Sequence, residues 1–245
     1  MNELTDHFSR TYIINLPERT DRLREVTAVL ERGGMPLRPD KVEVFPAVRV
    51  QDPMGFPSAS ARGCFMSHLS VLKQALELRL PNVLILEDDV EFATVFQRVL
   101  PHILDQLSQQ TWSFAYLGYS YVDNTAYASQ DTQTVDMKPF SDEIRCTHAY
   151  AVHGSAFKPV IQHLEQLLSG PPGDRENGPM HVDGAFNIFR KKHPERLTLI
   201  AEPQIAWQRA SFSDIHGSGW TSMPAARRLL SPARSFKNYL QRISR

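Results

Sequence analysis

Three consecutive carboxylates, Glu87, Asp88 and Asp89, follow directly on the apolar run Val83 to Leu86, with Glu91 just beyond. At ~5 Å separation and an effective dielectric near ~20, each like-charge pair costs roughly 3 kcal/mol. A divalent cation removes that penalty, and oxygen-only ligands suit Mg²⁺ or Mn²⁺ better than zinc. In open α/β sheets ligands sit beyond the carboxyl ends of the strands, which is where this run falls. Two structural alternatives stand beside the metal: a solvated acidic turn, and Asp88 as the N-cap of a following helix. A carboxylate-held cation commonly bridges substrate phosphates and neutralises a leaving diphosphate. The chain has no GxxxxGK[ST] loop and no GxGxxG after its first apolar run, which disfavours a P-loop nucleotidase and a nicotinamide enzyme. HExxH and CxxC are absent as well.

The elements that must position these carboxylates are legible around them. Tyr12-Ile13-Ile14 reads as a first strand, and Thr20 to Arg32 as a helix with Leu23, Val26 and Leu30 on one face and Gly33-Gly34 as a left-handed stop. Val42 to Val48 predicts a second strand, and the Pro-, Gly- and Ser-bearing stretch Gln51 to Ala61 a loop. A helix follows from about Cys64 to Leu80, with Phe65, Leu69, Leu72, Leu76 and Leu80 on one face. Val83 to Leu86 is then a strand covered on both sides. That alternation predicts a parallel α/β sheet. Further on, Thr94 to Gln109 reads as a helix that Pro101 kinks or splits. Ser113 to Leu117, Ala149 to Val152 and Arg196 to Ala201 read as strands, Ser155 to Leu168 and Val182 to Lys191 as helices. The polar stretch Asp123 to Glu143 and the loop opened by Gly170-Pro171-Pro172-Gly173 are expected to be substrate lids.

The 245 residues carry 27 basic and 27 acidic side chains, so the formal charge is zero and nucleic acid is not the expected partner. No apolar run exceeds the length of Val83 to Leu86, too short for a bilayer span. Met1 to Arg10 lacks the apolar stretch of a secretory signal. Two cysteines, Cys64 and Cys146, make no disulfide framework, so a cytoplasmic setting is expected.

Several segments resemble one family in its own order. Ile13-Ile14-Asn15-Leu16-Pro17-Glu18-Arg19-Thr20-Asp21-Arg22 resembles the INL-x-x-R-x-DR opening of glycosyltransferase family 25, and Gly63-Cys64-Phe65-Met66-Ser67-His68 its GC-x-x-SH segment. Val83 to Asp89 is similar to its LILEDD, His148-Ala149-Tyr150 to its HAY, Val182-Asp183 to its VD, and Ser213-Asp214-Ile215 to its SDI. His216-Gly217-Ser218-Gly219 also resembles the HG-x-G of the glycosyltransferase domain of lysyl hydroxylases. The resemblance implies a GT-A-like nucleotide-sugar-binding α/β fold, with a mostly parallel central sheet flanked by helices. It further implies transfer of galactose or glucose from a uridine diphosphate sugar to a saccharide or glycolipid acceptor, with Mn²⁺ or Mg²⁺ as cofactor.

In that frame Asp89 is the expected metal ligand, joined by His216, whose alternative is a surface turn histidine. Glu87 and Asp88 are helpers or ribose contacts, and Glu87 stands where an Asp-x-Asp motif has its first aspartate. Asn15, Arg19 and Arg22 lie where a uridine and a diphosphate rest, guanidinium groups offering paired donors to phosphate. Arg22 has the alternative of pairing with Glu18 one turn away. Ser67 is expected on the donor side, with His68 beside it as a core or cap histidine. Asp183 is the expected catalytic base, its alternative an N-cap aspartate. Trp207, Gln208 and Asp214 are expected to line the acceptor side.

Residues 1–223 are expected to form the transferase domain and 224–245 a basic amphipathic tail. Arg227, Arg228, Arg234, Lys237, Arg242 and Arg245 lie in the tail without an acid among them, which suits an anionic membrane surface at the cytoplasmic face of the inner membrane, or a helix packed on the domain. The expected role is extension of a surface glycan such as lipooligosaccharide. Rival readings are a sugar nucleotidyltransferase and a non-catalytic glycan-binding module of the same fold.

Overall fold

The computed structural model describes residues 7–120 and 126–209. Asp214, His216 and the tail 224–245 lie outside the described residues, as does the boundary expected at 223. Seven strands form the central sheet: β1 (Arg10–Asn15), β2 (Val42–Pro46), β3 (Asn82–Glu87), β5 (Phe114–Ser120), β6 (Asp136–Pro139), β7 (Arg145–His153) and β8 (Thr198–Glu202), in the order β2-β1-β3-β7-β5-β8-β6. The pairings make β2, β1, β3, β5 and β8 run one way, while β7 and β6 run against them. A separate ribbon pairs β4 (Val90–Phe92) with β9 (Ala206–Gln208), antiparallel.

Alternation along the strands builds two cores. Ile13, Leu84, Leu86, Leu117, Ala149, Ala151 and Leu199 face α1 (Thr20–Arg32) and α3 (Phe96–Ser108). Tyr12, Ile14, Val83, Ile85, Tyr116, Tyr150 and Val152 face α2 (Ala59–Glu77), α4 (Gly154–Ser169) and α5 (Val182–Lys192). Because successive side chains point to opposite faces, a strand covered on both sides is a continuous apolar run, as β3 is. Among the described residues no helix is long and apolar enough to cross a membrane.

Several expectations need correction. The left-handed residue after α1 is Gly34 (φ +75°), while Gly33 stays right-handed at φ −75°. Helix α2 begins at Ala59, because the Ser58 hydroxyl accepts from the Ala61 amide and starts the helix inside the expected loop. Pro101 does not split α3. Its ring lies on the exposed side, and Val99, Leu100, Ile103, Leu104 and Leu107 hold the helix to the sheet through the break in its hydrogen-bond ladder. Strand β6, with only Met137 buried, lies inside the stretch expected to be irregular.

The position of β7 decides the site. It runs antiparallel between β3 and β5, so its amino end, from Arg145 to His148, lies beside the carboxyl end of β3. The amino terminus of α5 is tied to the same place through Asp183 and Cys146.

Candidate active site

The three carboxylates diverge to different partners. Asp88, buried, accepts from Asn15 Nδ2 at 2.8 Å on Oδ2 and from Arg22 Nη1 at 2.7 Å on Oδ1. Asp89, also buried, accepts from Gln208 Nε2 at 3.0 Å on Oδ2, with Arg22 Nη1 3.5 Å away. Glu87 accepts from Thr147 Oγ1 at 2.7 Å, and His68 Nε2 lies 3.4 Å from the same oxygen. Arg209 closes the turn from behind, donating from its amide to the Asp89 carbonyl (2.7 Å) and from Nη2 to the Asp88 carbonyl (2.9 Å). Part of the charge relief expected from a cation therefore comes from the protein itself, through Arg22.

The relief is incomplete at Asp89. Its Oδ1 is buried with no hydrogen-bond partner among the described residues. Burial first, and then the neighbouring Glu87 charge, push its carboxyl up to about 7 against the pull of Arg22 and Gln208. Glu87 goes the other way. Burial raises it, but His68, Thr147 and His148 together outweigh burial and bring it below the ordinary carboxylate range. A buried acceptor without a donor, at the carboxyl end of a strand, fits a cation ligand.

Asp183 joins this end of the sheet through β7. Its Oδ2 accepts from the Cys146 amide at 3.1 Å and its Oδ1 from the Gly184 amide at 2.8 Å. Consecutive residues, Cys146 and Thr147, thus anchor Asp183 and Glu87. Both thiols feel the charges of Glu87, Asp183 and Asp89, which, after burial, raise Cys146 to about 11 and Cys64 well above the ordinary thiol range.

Helix α2 divides its motif between two faces. Gly63 admits the backbone after β2, since a Cβ there would stand 2.5 Å from the Val48 carbonyl oxygen. One turn on, the buried Ser67 hydroxyl accepts from the Val48 amide at 2.8 Å and donates to the Gly63 carbonyl at 2.7 Å. Ser67 therefore docks a segment of chain. Cys64 and His68, also one turn apart, face Glu87.

The expected site residues separate accordingly. Asn15, Arg22, Glu87, Asp88, Asp89, Asp183 and Gln208 come together at the carboxyl edge. Arg22 pairs with the acidic run and not with Glu18, which pairs with Arg49. The Arg19 guanidinium grips Asp21 with Nε and Nη2, both at 3.0 Å, on the solvent side. Trp207, half-buried, meets the Tyr127 ring edge-to-face at 5.9 Å. Gln208, expected at the acceptor, holds Asp89. Sequence reasoning gave no site role to Thr147, Cys146 or Arg209, and it singled out His148 only as part of the HAY segment. Of these, His148 is buried, and burial lowers its pKa despite the Glu87 charge. Arg209 carries no local signal at all.

The fold is of the GT-A-like glycosyltransferase class. It resembles the crystal structure of a glycosyltransferase involved in the glycosylation of the major capsid of PBCV-1, with a TM-score of 0.51 and 11% identity over 83% of this chain and 95% of that one. The family model for glycosyltransferase family 25 (LPS biosynthesis protein) matches residues 57–174. Mouse procollagen galactosyltransferase 2 is 31% identical over 207 residues, covering 76% of this chain and 31% of that protein. Human inactive glycosyltransferase 25 family member 3 is 27% identical over 136 residues, 47% of this chain and 22% of that protein. Residues 57–174 thus carry a glycosyltransferase family 25 domain match, and the chain spans less than a third of the length of these two relatives.

Proposed function

We propose that the chain transfers a hexose, galactose or glucose, from a uridine diphosphate sugar to a hydroxyl of a saccharide or glycolipid acceptor, as in building a surface glycan such as lipooligosaccharide. The observation that carries this reading is Asp89 Oδ1, buried without a donor among the described residues just beyond the end of β3, at the same sheet edge as Asp183. Mn²⁺ or Mg²⁺ held by Asp89 would neutralise charge on the departing diphosphate. Asn15 and Arg22 fix Asp88, and Gln208 fixes Asp89, so the carboxylates are oriented before a donor arrives. Asp183 takes the proton of the acceptor hydroxyl as that oxygen attacks the anomeric carbon; the bond to diphosphate breaks with its electron pair, and configuration inverts. Each Asp183 oxygen accepts one amide hydrogen, leaving capacity for that proton. The basic tail, 224–245, would hold the enzyme at the anionic cytoplasmic face of a membrane carrying a lipid-linked acceptor.

A relative named inactive favours a second reading, a donor-binding module of this fold without turnover. Calorimetry with uridine diphosphate galactose and glucose, with and without Mn²⁺, followed by a transfer assay on a saccharide panel, separates the two. Mn²⁺-dependent donor binding with transfer, both lost in Asp89→Asn, supports the enzyme. Binding without transfer supports the module. Donor binding that ignores the metal overturns the metal role.

A further inference from the structure

Cys64 and His68 occupy the same face of α2 one turn apart, and Glu87 meets them from the end of β3. One ligand atom of each, the Cys64 sulfur, a ring nitrogen and a carboxylate oxygen, lies within 4.8 Å of the other two. His68 is fully buried, and its Nε2 has no hydrogen-bond partner among the described residues. It stands 3.4 Å from Glu87 Oε1, longer than a charge-assisted hydrogen bond. Two ligands each about 2.1 Å from a tetrahedral ion stand roughly 3.4 Å apart, so the gap that is poor for a hydrogen bond is right for a shared metal. The other ring nitrogen, Nδ1, lies 2.8 Å from the buried Tyr150 hydroxyl. That contact fixes the ring plane, as the outer partner of a metal-bound histidine does, and the tautomer with Nδ1–H donating to Tyr150 leaves the Nε2 lone pair facing the gap.

We infer that Cys64, His68 and Glu87 form a zinc-class site, separate in ligand chemistry from the oxygen ligands at Asp89. Sulfur and imidazole select Zn²⁺ over Mg²⁺ or Mn²⁺. The side chain of Glu87 is 18% exposed and Cys64 is half-buried, so the site opens to solvent and the fourth position is left to water. Binding replaces the Cys64 thiol proton, which leaves to solvent, with the ion. Resting on the transfer reading above, occupation also ties down Glu87 beside Asp88 and Asp89, so zinc inhibits the enzyme.

The test uses the full chain in excess Mg²⁺, without nucleotide, so that it stands apart from turnover. Co²⁺ serves as the optical probe and Zn²⁺ as its competitor. The expected results are a thiolate-to-cobalt charge-transfer band that zinc bleaches, and release of about one proton per ion. Cys64→Ala removes the band, Tyr150→Phe weakens zinc binding roughly tenfold or more, and Asp89→Asn retains the site. Thermal melts confirm folding, and Cys64→Ser replaces the alanine variant where that melts early. Equal zinc affinity in wild type and Cys64→Ala overturns the inference, and so does zinc uptake lost only with Asp89→Asn.

Discussion

Arg22 on α1 places one guanidinium nitrogen 2.7 Å from Asp88 Oδ1 and 3.5 Å from Asp89 Oδ2, bridging the two carboxylates from 66 residues away in sequence. Little solvent reaches any of the three. Removing the cation therefore leaves a buried charge that, among the described residues, Asn15 and Gln208 alone answer with side-chain hydrogen bonds. Arg22→Met is expected to lower the unfolding free energy by about 3 kcal/mol, and adding Asp88→Asn to recover part of it. Arg19→Ala, which frees the exposed Asp21, should cost under ~1 kcal/mol. Urea unfolding of the four chains checks this. An Arg22→Met midpoint equal to wild type would mean that the acidic turn is compensated from elsewhere.

Asp89 makes stability depend on pH in a direction opposite to that of a salt-bridged carboxylate. Its carboxyl is raised from 3.8 to about 7, so between those values the folded chain holds a proton that the unfolded chain has released. Metal-free stability then falls as pH rises through that window. Asp89→Asn removes this slope and raises the melting temperature at about pH 8 in chelator, while abolishing Mn²⁺-enhanced donor binding. Melts from about pH 5 to about pH 8 decide it, and parallel slopes in the two proteins would count against a perturbed Asp89.

Gly63 and Ser67 are predicted to act on stability alone. A methyl at position 63 meets the Val48 carbonyl oxygen, a backbone atom that moves only with its segment. Gly63→Ala is expected to cost about 1–3 kcal/mol. Ser67→Ala strands the Val48 amide, at a similar cost of about 1–3 kcal/mol. Chemical denaturation reads both, and donor affinity measured well below the midpoint should not change. A selective loss of donor binding in Ser67→Ala would return that hydroxyl to the donor site.

How much of this was legible follows from where each signal resides. The bounds of α1 and the span of β3 were visible because a helical stripe and a doubly covered run are local patterns. The short ribbon strands β4 and β9 were not, since three residues carry no period. Glu87, Asp88 and Asp89 announced themselves by adjacency. Thr147, Cys146 and Arg209 reach the same place only because β7 enters antiparallel beside β3 and because β9 pairs with β4, and neither pairing is written in a local pattern. The Cys64–His68 spacing was visible, but what faces it from β3 is a property of the fold.

Asp183 lies in the first turn of α5, one residue inside the helix whose N-cap is His181, and its oxygens accept from the adjacent Gly184 amide and from the Cys146 amide of β7, a tie between helix and strand that a structural aspartate makes as well as a catalytic one. The two roles respond differently to one substitution. Asn keeps an oxygen acceptor for one amide but cannot take a proton, so a purely structural Asp183 would tolerate Asp183→Asn with a modest loss of stability and a near-normal rate. If Asp183 is the base, the rate of transfer falls by roughly 10²–10⁴ while donor binding and the melting temperature stay close to wild type. Asp183→Glu, which keeps the carboxylate and moves it by one methylene, should retain more activity than Asn if a proton acceptor is what matters. The measurement is initial transfer rate against pH for the three chains, with donor affinity by calorimetry. Asn outperforming Glu would assign Asp183 to the helix terminus and leave the acceptor's proton to another group.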